Sequence, residues 1–275
     1  MYQIITDTSA ELNPGMITCC EVKAAPFKIS IEEHTFIDDD TLDMDEFFRI
    51  MKETTTPIRT ACPSPDDFFQ LMEGDHIFIV TITGKLSGSY NAAQVAKQLY
   101  LEKNPKAKVH IFDSQSATAG ETGVVVFLDQ LIKAKKTFDE IVEATEDLIQ
   151  RSLTIFALCS FTNLARNGRV PKIAGKLSRI LHVKCIARNN NGKILPISIE
   201  RGVKKTLNSL VEKAYKLCDR TLSCPIIISE ANDRTSAEYV RDKLLEYFPE
   251  RMIEITKMRG LSSTYAEEGG IVVFL

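Results

Sequence analysis

Three stretches of this sequence gather hydroxyl side chains and glycines directly behind short β-branched runs. Asp7-Thr8-Ser9 follows Tyr2–Thr6, and Thr83-Gly84-Lys85-Leu86-Ser87-Gly88-Ser89 follows His76–Ile82. The third, Asp113-Ser114-Gln115-Ser116-Ala117-Thr118-Ala119-Gly120, follows Val109–Phe112. Ligands of an open parallel sheet bind outside the carboxyl ends of its strands, so three such loops would share one crevice. Hydroxyls supply hydrogen bonds, glycine lets a backbone approach closely, and a helix starting after Ser87 aims its free N–H groups the same way. That chemistry suits a carboxylate or phosphate better than a cation. The plainer alternative is that Ser87 and Ser114 cap helices and Asp7 merely ends a strand.

Other chemistries fit the residues less well. Gly84-Lys85-Leu86-Ser87-Gly88 has one residue too many between its first glycine and its serine for a G-x-S-x-G nucleophile elbow, and neither G-x-G-x-x-G nor G-x-x-x-x-G-K-[ST] occurs. An enzyme using Ser87 or Ser114 as nucleophile would lack a base at the right strand end, apart from Lys85. His34, His76, His110 and His182 are scattered and read as structural or surface residues. Asp38-Asp39-Asp40 lacks the EF-hand pattern and reads as a solvated turn, so no metal site is expected. Arg166-Asn167-Gly168-Arg169-Val170 and Glu200-Arg201-Gly202-Val203-Lys204-Lys205 could bring a guanidinium to an anion pocket, although spacing alone favours a solvated loop and the polar start of a helix. Vicinal Cys19-Cys20 reads as a plain pair rather than a redox pair, since nothing nearby lowers a thiol pKa.

Loops like these need a scaffold. In the first half, strands alternate with helical patterns, the signature of βαβ units around a parallel sheet. Ser64-Pro65 with Asp66 and Asp67 marks one helix start, and Thr137-Phe138-Asp139-Glu140 has capping-box spacing before Ile141, Leu148 and Ile149. Phe27–Ile31 and Thr35–Ile37 predict a small hairpin. In the second half, strand Thr154–Ser160 precedes Lys184–Ala187 and Ile194–Ile199, which flank Asn189-Asn190-Asn191-Gly192, the strongest hairpin signal in the chain. Helix Lys204–Cys218, strand Pro225–Ser229, helix Ser236–Tyr247, strand Arg251–Ile255 and a last strand Ile271–Leu275 follow. The expected fold class is α/β, with a Rossmann-like parallel-sheet domain over 1–153 and a mixed-sheet domain over 154–275.

Composition sets outer bounds. The 275 residues are 44% hydrophobic and 26% charged, which excludes disorder and leaves room for two domains. Lys and Arg number 34 against 37 Asp and Glu, for a net charge of -3. Without a basic excess, nucleic acid is not an expected partner. Seven cysteines with no C-x-x-C pair fit free cytosolic thiols, and no signal peptide or membrane-length apolar run is evident, so a cytoplasmic location is expected.

Taken in order, Asp7-Thr8-Ser9, Thr60-Ala61-Cys62-Pro63-Ser64, Lys85-Leu86-Ser87-Gly88-Ser89-Tyr90, Phe112-Asp113-Ser114, Asn167-Gly168-Arg169-Val170 and Arg201-x-x-Lys204-Lys205 closely resemble the DegV family over essentially the whole chain. The resemblance implies two α/β domains with a long-chain fatty acid in a tunnel between them. It also implies a bacterial carrier rather than an enzyme, with no cofactor. Such a carrier presents the acyl carboxylate to a separate dihydroxyacetone-kinase-like fatty-acid kinase for phospholipid synthesis. On this resemblance Thr60, Thr83, Gly84 and Ser87 hold the carboxylate and Ser114 lies nearby. Arg169, Arg201 and Tyr265 face the phosphate or the kinase, so that Arg169→Glu would impair docking and leave lipid content intact.

The sequence departs from the family pattern twice. Thr83-Gly84 stands where the family usually has Ser-Ser or Ser-Gly, and Tyr265-Ala266-Glu267-Glu268-Gly269 replaces His-x-Gly-Pro-Gly. Glu267 and Glu268 would therefore repel an acyl phosphate. A lipid-binding regulatory protein that has lost kinase coupling is the alternative.

Overall fold

The computed structural model describes residues 2–171 and 183–275; His182 lies outside them. Strands β1 (Tyr2–Asp7), β6 (His76–Thr81) and β7 (Lys108–Asp113) pair in parallel, as the alternating pattern predicts. A fourth, β2 (Val22–Ala25), extends the sheet to the order β2-β1-β6-β7. Its four residues follow a Cys-Cys-Glu turn and are too short for periodicity to reveal. Successive side chains alternate faces: Ile5, Ile77 and Ile79 pack under α2 (Pro65–Phe69) and α3 (Ser89–Lys103), while Ile4, Phe78 and Val80 pack under α4 (Ala119–Lys133) and α5 (Phe138–Arg151). This is the doubly covered parallel sheet whose strand ends form a crevice.

The helix signals hold locally. Ser64 Oγ accepts from Asp67 N while Asp67 accepts from Ser64 N, and Thr137 and Glu140 make the same reciprocal pair. Helices α3 and α4 start differently, capped by Gly88 and Thr118 without side-chain hydrogen bonds. Neither Ser87 nor Ser114 is a helix cap.

The predicted hairpin, β3 (Lys28–Ile31) with β4 (His34–Ile37), gains a third strand, β5 (Arg59–Ala61). Helix α1 (Met44–Glu53), capped by Asp43, covers it. The acidic run before α1 is a turn with Asp40 exposed, as expected, but Asp38 is not solvated. Asp38 is fully buried and accepts from the backbone N–H groups of Gly260 and Leu261, and Asp40 pairs with Arg259 at 2.5 Å. Together they anchor the start of a short helix far along the chain.

The second half forms a six-stranded mixed sheet of order β10-β9-β8-β13-β11-β12. Its strands are β8 (Thr154–Leu158), β9 (Val183–Asn190), β10 (Lys193–Arg201), β11 (Ile226–Glu230), β12 (Ile253–Lys257) and β13 (Ile271–Phe274). Only β11 and β12 pair in parallel. Helices α7 (Val203–Leu217) and α8 (Arg234–Tyr247) cover one face through Ile155, Ile186, Ile226 and Ile228. The other face, with Phe156, Leu158, Val272 and Phe274, turns toward the first half. Helix α4 fills part of that space: Gly123 lies so near Phe274 that a Cβ there would fall 2.2 Å from the ring. A helix serving two sheets is buried almost all round, as Ala119–Val126 are. The rest of the space stays open as a cavity, bordered by the short helices α6 (Thr162–Arg166) and α9 (Gly260–Ala266).

Candidate functional site

The site is built on a buried acid. Asp7, at the end of β1, is completely buried, accepting from Ser9 N at 3.0 Å with one oxygen and from Ile82 N at 3.0 Å and Ser89 Oγ at 2.5 Å with the other. It thereby ties two strand-end loops together. Burial raises its pKa to about 6 against the pull of those hydrogen bonds. The third loop joins through Thr83 N to Ser116 O at 2.8 Å and Gly84 N to Asp113 Oδ2 at 3.2 Å. In effect Asp7 and Asp113 clamp the loops, and other hydroxyls carried by those loops are the groups that can meet a ligand.

Those hydroxyls open on a cavity enclosing about 860 Å³, including its opening to solvent. Phe27, Ile82, Phe156, Leu158, Leu261 and Val272 give it apolar walls drawn from both halves. Thr60, Thr83, Ser87, Arg169 and Tyr265 all line it. β5 delivers Thr60, the loop after β6 delivers Thr83 and Ser87, the turn after α6 delivers Arg169, and α9 delivers Tyr265. Thr60 Oγ1 and Tyr265 Oη are 2.7 Å apart, and the Arg169 guanidinium lies 5.9 Å from the Tyr265 ring centre. Arg169 Nε donates to Leu86 O at 3.1 Å, which fixes the guanidinium beside the Thr83–Ser87 turn. Among the described residues, the charged side chains of the lining are Arg169 and Lys193, and it includes neither a histidine nor a carboxylate. Hydroxyl donors with two cations suit an anionic head group, and the apolar walls suit a hydrocarbon.

Three expected residues lie elsewhere. Gly84 does not line the cavity, because its N–H is engaged by Asp113. Ser114 is buried behind the lining, with its hydroxyl donating to Ser116 O and accepting from Ser116 N. Arg201 is exposed at the far end of β10, paired with Val183. At about 3.3 Å per residue that is roughly 25 Å from cavity-lining Lys193. Strand length, which a motif match ignores, removes Arg201 from the mouth. Arg169, expected to face a partner, lines the cavity itself.

The acidic pair after Tyr265 also points away. Burial raises the pKa of Glu267, which is held by Ser160 and the Asn163 backbone, and Glu268 accepts from Asn232 Nδ2 at 3.0 Å. Neither lines the cavity, so the expected repulsion is not built there.

Several lining residues went unread. Ser9, Ser116 and Thr118 stood inside the quoted loops without being singled out. Thr154, Asn189, Gly192, Lys193 and Ile194 come from the second sheet, where Asn-Gly signalled only a turn. Away from the site, His110 Nε2 lies 3.0 Å from Glu146 Oε1 and His76 stacks edge-on to Tyr2. All seven cysteines are free thiols, and burial with Asp129 and Cys19 nearby raises the Cys20 pKa to about 11. Among the described residues, no group of three or more His, Cys, Asp or Glu could hold a metal ion, and no helix is long and apolar enough to cross a membrane.

Known proteins share this fold. The family model described as "Uncharacterised protein, DegV family" matches residues 1–275. A DegV domain-containing protein of Streptococcus pneumoniae is 35% identical over 277 residues, covering 99% of this chain and 98% of its own. A DegV family protein of Eubacterium eligens, solved loaded with heptadecanoic acid, superposes with a TM-score of 0.93 at 30% identity, over 100% of this chain and 99% of its own. The Fatty Acid Kinase (Fak) B3 protein of Streptococcus pneumoniae, solved loaded with linoleic acid, superposes at 0.94 with 32% identity, over 99% and 98%.

Proposed function

The chain belongs to the DegV family, and from that premise we propose that it is a carrier of long-chain fatty acids rather than an enzyme. One observation carries the reading: a cavity with apolar walls from both sheets has Thr60, Thr83, Ser87 and Arg169 among its lining. Each methylene buried against such walls contributes about 0.8 kcal/mol, so a long chain offsets the cost of desolvating its carboxylate. The proteins of similar structure solved with heptadecanoic and linoleic acids support the same ligand class.

In this reading Thr60, Thr83 and Ser87 bind the carboxylate, helped by Arg169 and by Tyr265 through Thr60. Gly84 and Ser114 shape the loops from behind. Residues 1–153 form the domain carrying the carboxylate loops, and residues 154–275 form the domain covering the acyl chain. The carrier works in the cytoplasm and presents the acid to a separate dihydroxyacetone-kinase-like fatty-acid kinase, a role supported by the naming of the similar Streptococcus pneumoniae protein. Arg201, at the far end of β10, would serve that partner rather than the ligand.

A second reading is favoured by the engagement of Tyr265 with Thr60, where the family pattern has a histidine. The protein would then bind lipid as a regulator without kinase coupling. Gentle purification, organic extraction and mass spectrometry test the common part: a long-chain acid is expected, and a protein that neither holds nor takes up any would end both readings. Acyl phosphate formed on the loaded protein by purified fatty-acid kinase and ATP separates them, since its formation eliminates the regulator.

A further inference from the structure

The two-residue tip between β9 and β10 reaches from the second sheet onto the Thr83 loop of the first. Asn191 and Gly192 have φ of 49° and 78°, both positive as a type I′ turn requires. Asparagine tolerates that region at 191, and at 192 a φ of 78° strains any residue that carries a Cβ, which is the first demand for glycine. The second demand is space. A Cβ on Gly192 would lie 2.3 Å from Thr83 Oγ1, 3.0 Å from Lys85 Cγ and 3.4 Å from Thr83 Cβ. The lysine stem can give way, but a β-branched side chain has few rotamers, and relieving a contact at 2.3 Å means turning its hydroxyl elsewhere.

Thr83 is 1% exposed, and its Oγ1 accepts from Lys85 N at 3.2 Å, which leaves its O–H to donate. Gly192 and Thr83 line the same cavity. We infer that Gly192 is a positioning residue of the head-group site: the bare turn of the β9–β10 hairpin fixes the Thr83 hydroxyl in its donating rotamer, so carboxylate recognition depends on contact between the two sheets. The inference rests on the fatty-acid reading above and adds a residue that never touches the carboxylate.

The test uses delipidated full-length protein, oleic acid and oleyl alcohol. Gly192→Ala should raise the Kd for oleic acid about 10-fold or more, the loss expected when a hydrogen bond to a charged group is removed. Oleyl alcohol, which has no charged head, should bind within about 3-fold of its original affinity. In a Thr83→Ala background the clashing atom is gone, and adding Gly192→Ala should change oleic acid binding less than about 2-fold. An equal loss in both backgrounds would overturn the inference by assigning the effect to turn strain. Gly192→Asn, which tolerates positive φ yet carries a Cβ, is the second variant if the alanine change disrupts the hairpin. A methyl NMR spectrum of ligand-free protein labelled at threonine reads the contact directly: the Thr83 methyl signal should shift in either Gly192 variant, and an unchanged signal sinks the inference whatever the ligand does. Wild-type protein that binds no oleic acid would instead count against the carrier reading, and the methyl signal would still decide the contact.

Discussion

Glu11 is 2% exposed, and it accepts from Ser229 Oγ at 3.2 Å while Asp38 and Glu121 lie close enough to disfavour its charge. Burial raises its pKa to about 8 from 4.5. A raised folded pKa gives stability that is fully present below the unfolded value and is lost as pH climbs through the folded one, here from about 4.5 to about 8. Asp7 adds the same sign of effect between 3.8 and about 6. Glu11→Gln should therefore melt with wild type near pH 5 and above it at pH 8.5, by about 2–4 °C for each kcal/mol recovered. Calorimetry at the two pH values decides; equal melting at both would mean Glu11 is not held protonated. At the head group, Tyr265→Phe removes the hydroxyl that pins Thr60. Oleic acid should bind about 3- to 10-fold more weakly by titration, the worth of one neutral hydrogen bond. Arg169→Glu places a like charge in the cavity lining and should cost oleic acid about 10-fold or more. Retained affinity would return Arg169 to a purely partner-facing role.

Short elements position these residues, and they were the hardest to read. Helix α9 spans only Gly260–Ala266 and has no side-chain cap of its own. Its first N–H groups are satisfied by Asp38 from across the molecule, at 2.8 Å and 3.0 Å. Its sequence carries little signal because its stability is borrowed through tertiary contact, and the same holds for three-residue β5, which carries Thr60. By contrast α2 and α5 contain their own capping boxes and were legible. Asp38→Ala should leave buried N–H groups unpaired and destabilise the protein by about 1–3 kcal/mol in denaturant titration. It should also weaken oleic acid binding, because Tyr265 rides on the same helix. Asp38→Asn keeps one acceptor but turns an NH2 toward the second N–H, so it should recover only part of both losses; full recovery would show that a single hydrogen bond is enough to hold α9.

The two halves meet at particular joints: Asn13 Nδ2 on Ile255 O at 2.8 Å, Asn167 Nδ2 on Ile58 O at 3.0 Å, Ser116 Oγ on Thr154 Oγ1 at 2.7 Å, and Gly123 against Phe274. A ligand filling the cavity between them binds the folded state only. Oleic acid at 100 times its Kd should add about 2.7 kcal/mol to stability, or roughly 5–10 °C in melting temperature. A melting curve indifferent to oleic acid would contradict a cavity assembled from both halves. The sequence by itself determined the parallel first sheet, the Asn-Gly hairpin, the crevice of hydroxyl loops and the family, because periodicity, turn chemistry and strand-end position are local properties. It also named Thr60, Thr83, Ser87, Arg169 and Tyr265 through an ordered motif match. Only the tertiary structure decided which hydroxyls meet the cavity, since Ser114 and Gly84 differ from Ser116 and Thr83 by local bonding that no motif encodes. It moved Arg201 away by the length of a strand, kept Glu267 and Glu268 out of the cavity lining, and brought Gly192 against Thr83. Each of these depends on residues distant in sequence sharing one small volume, where sterics and burial select among conformations that the chain alone leaves equivalent.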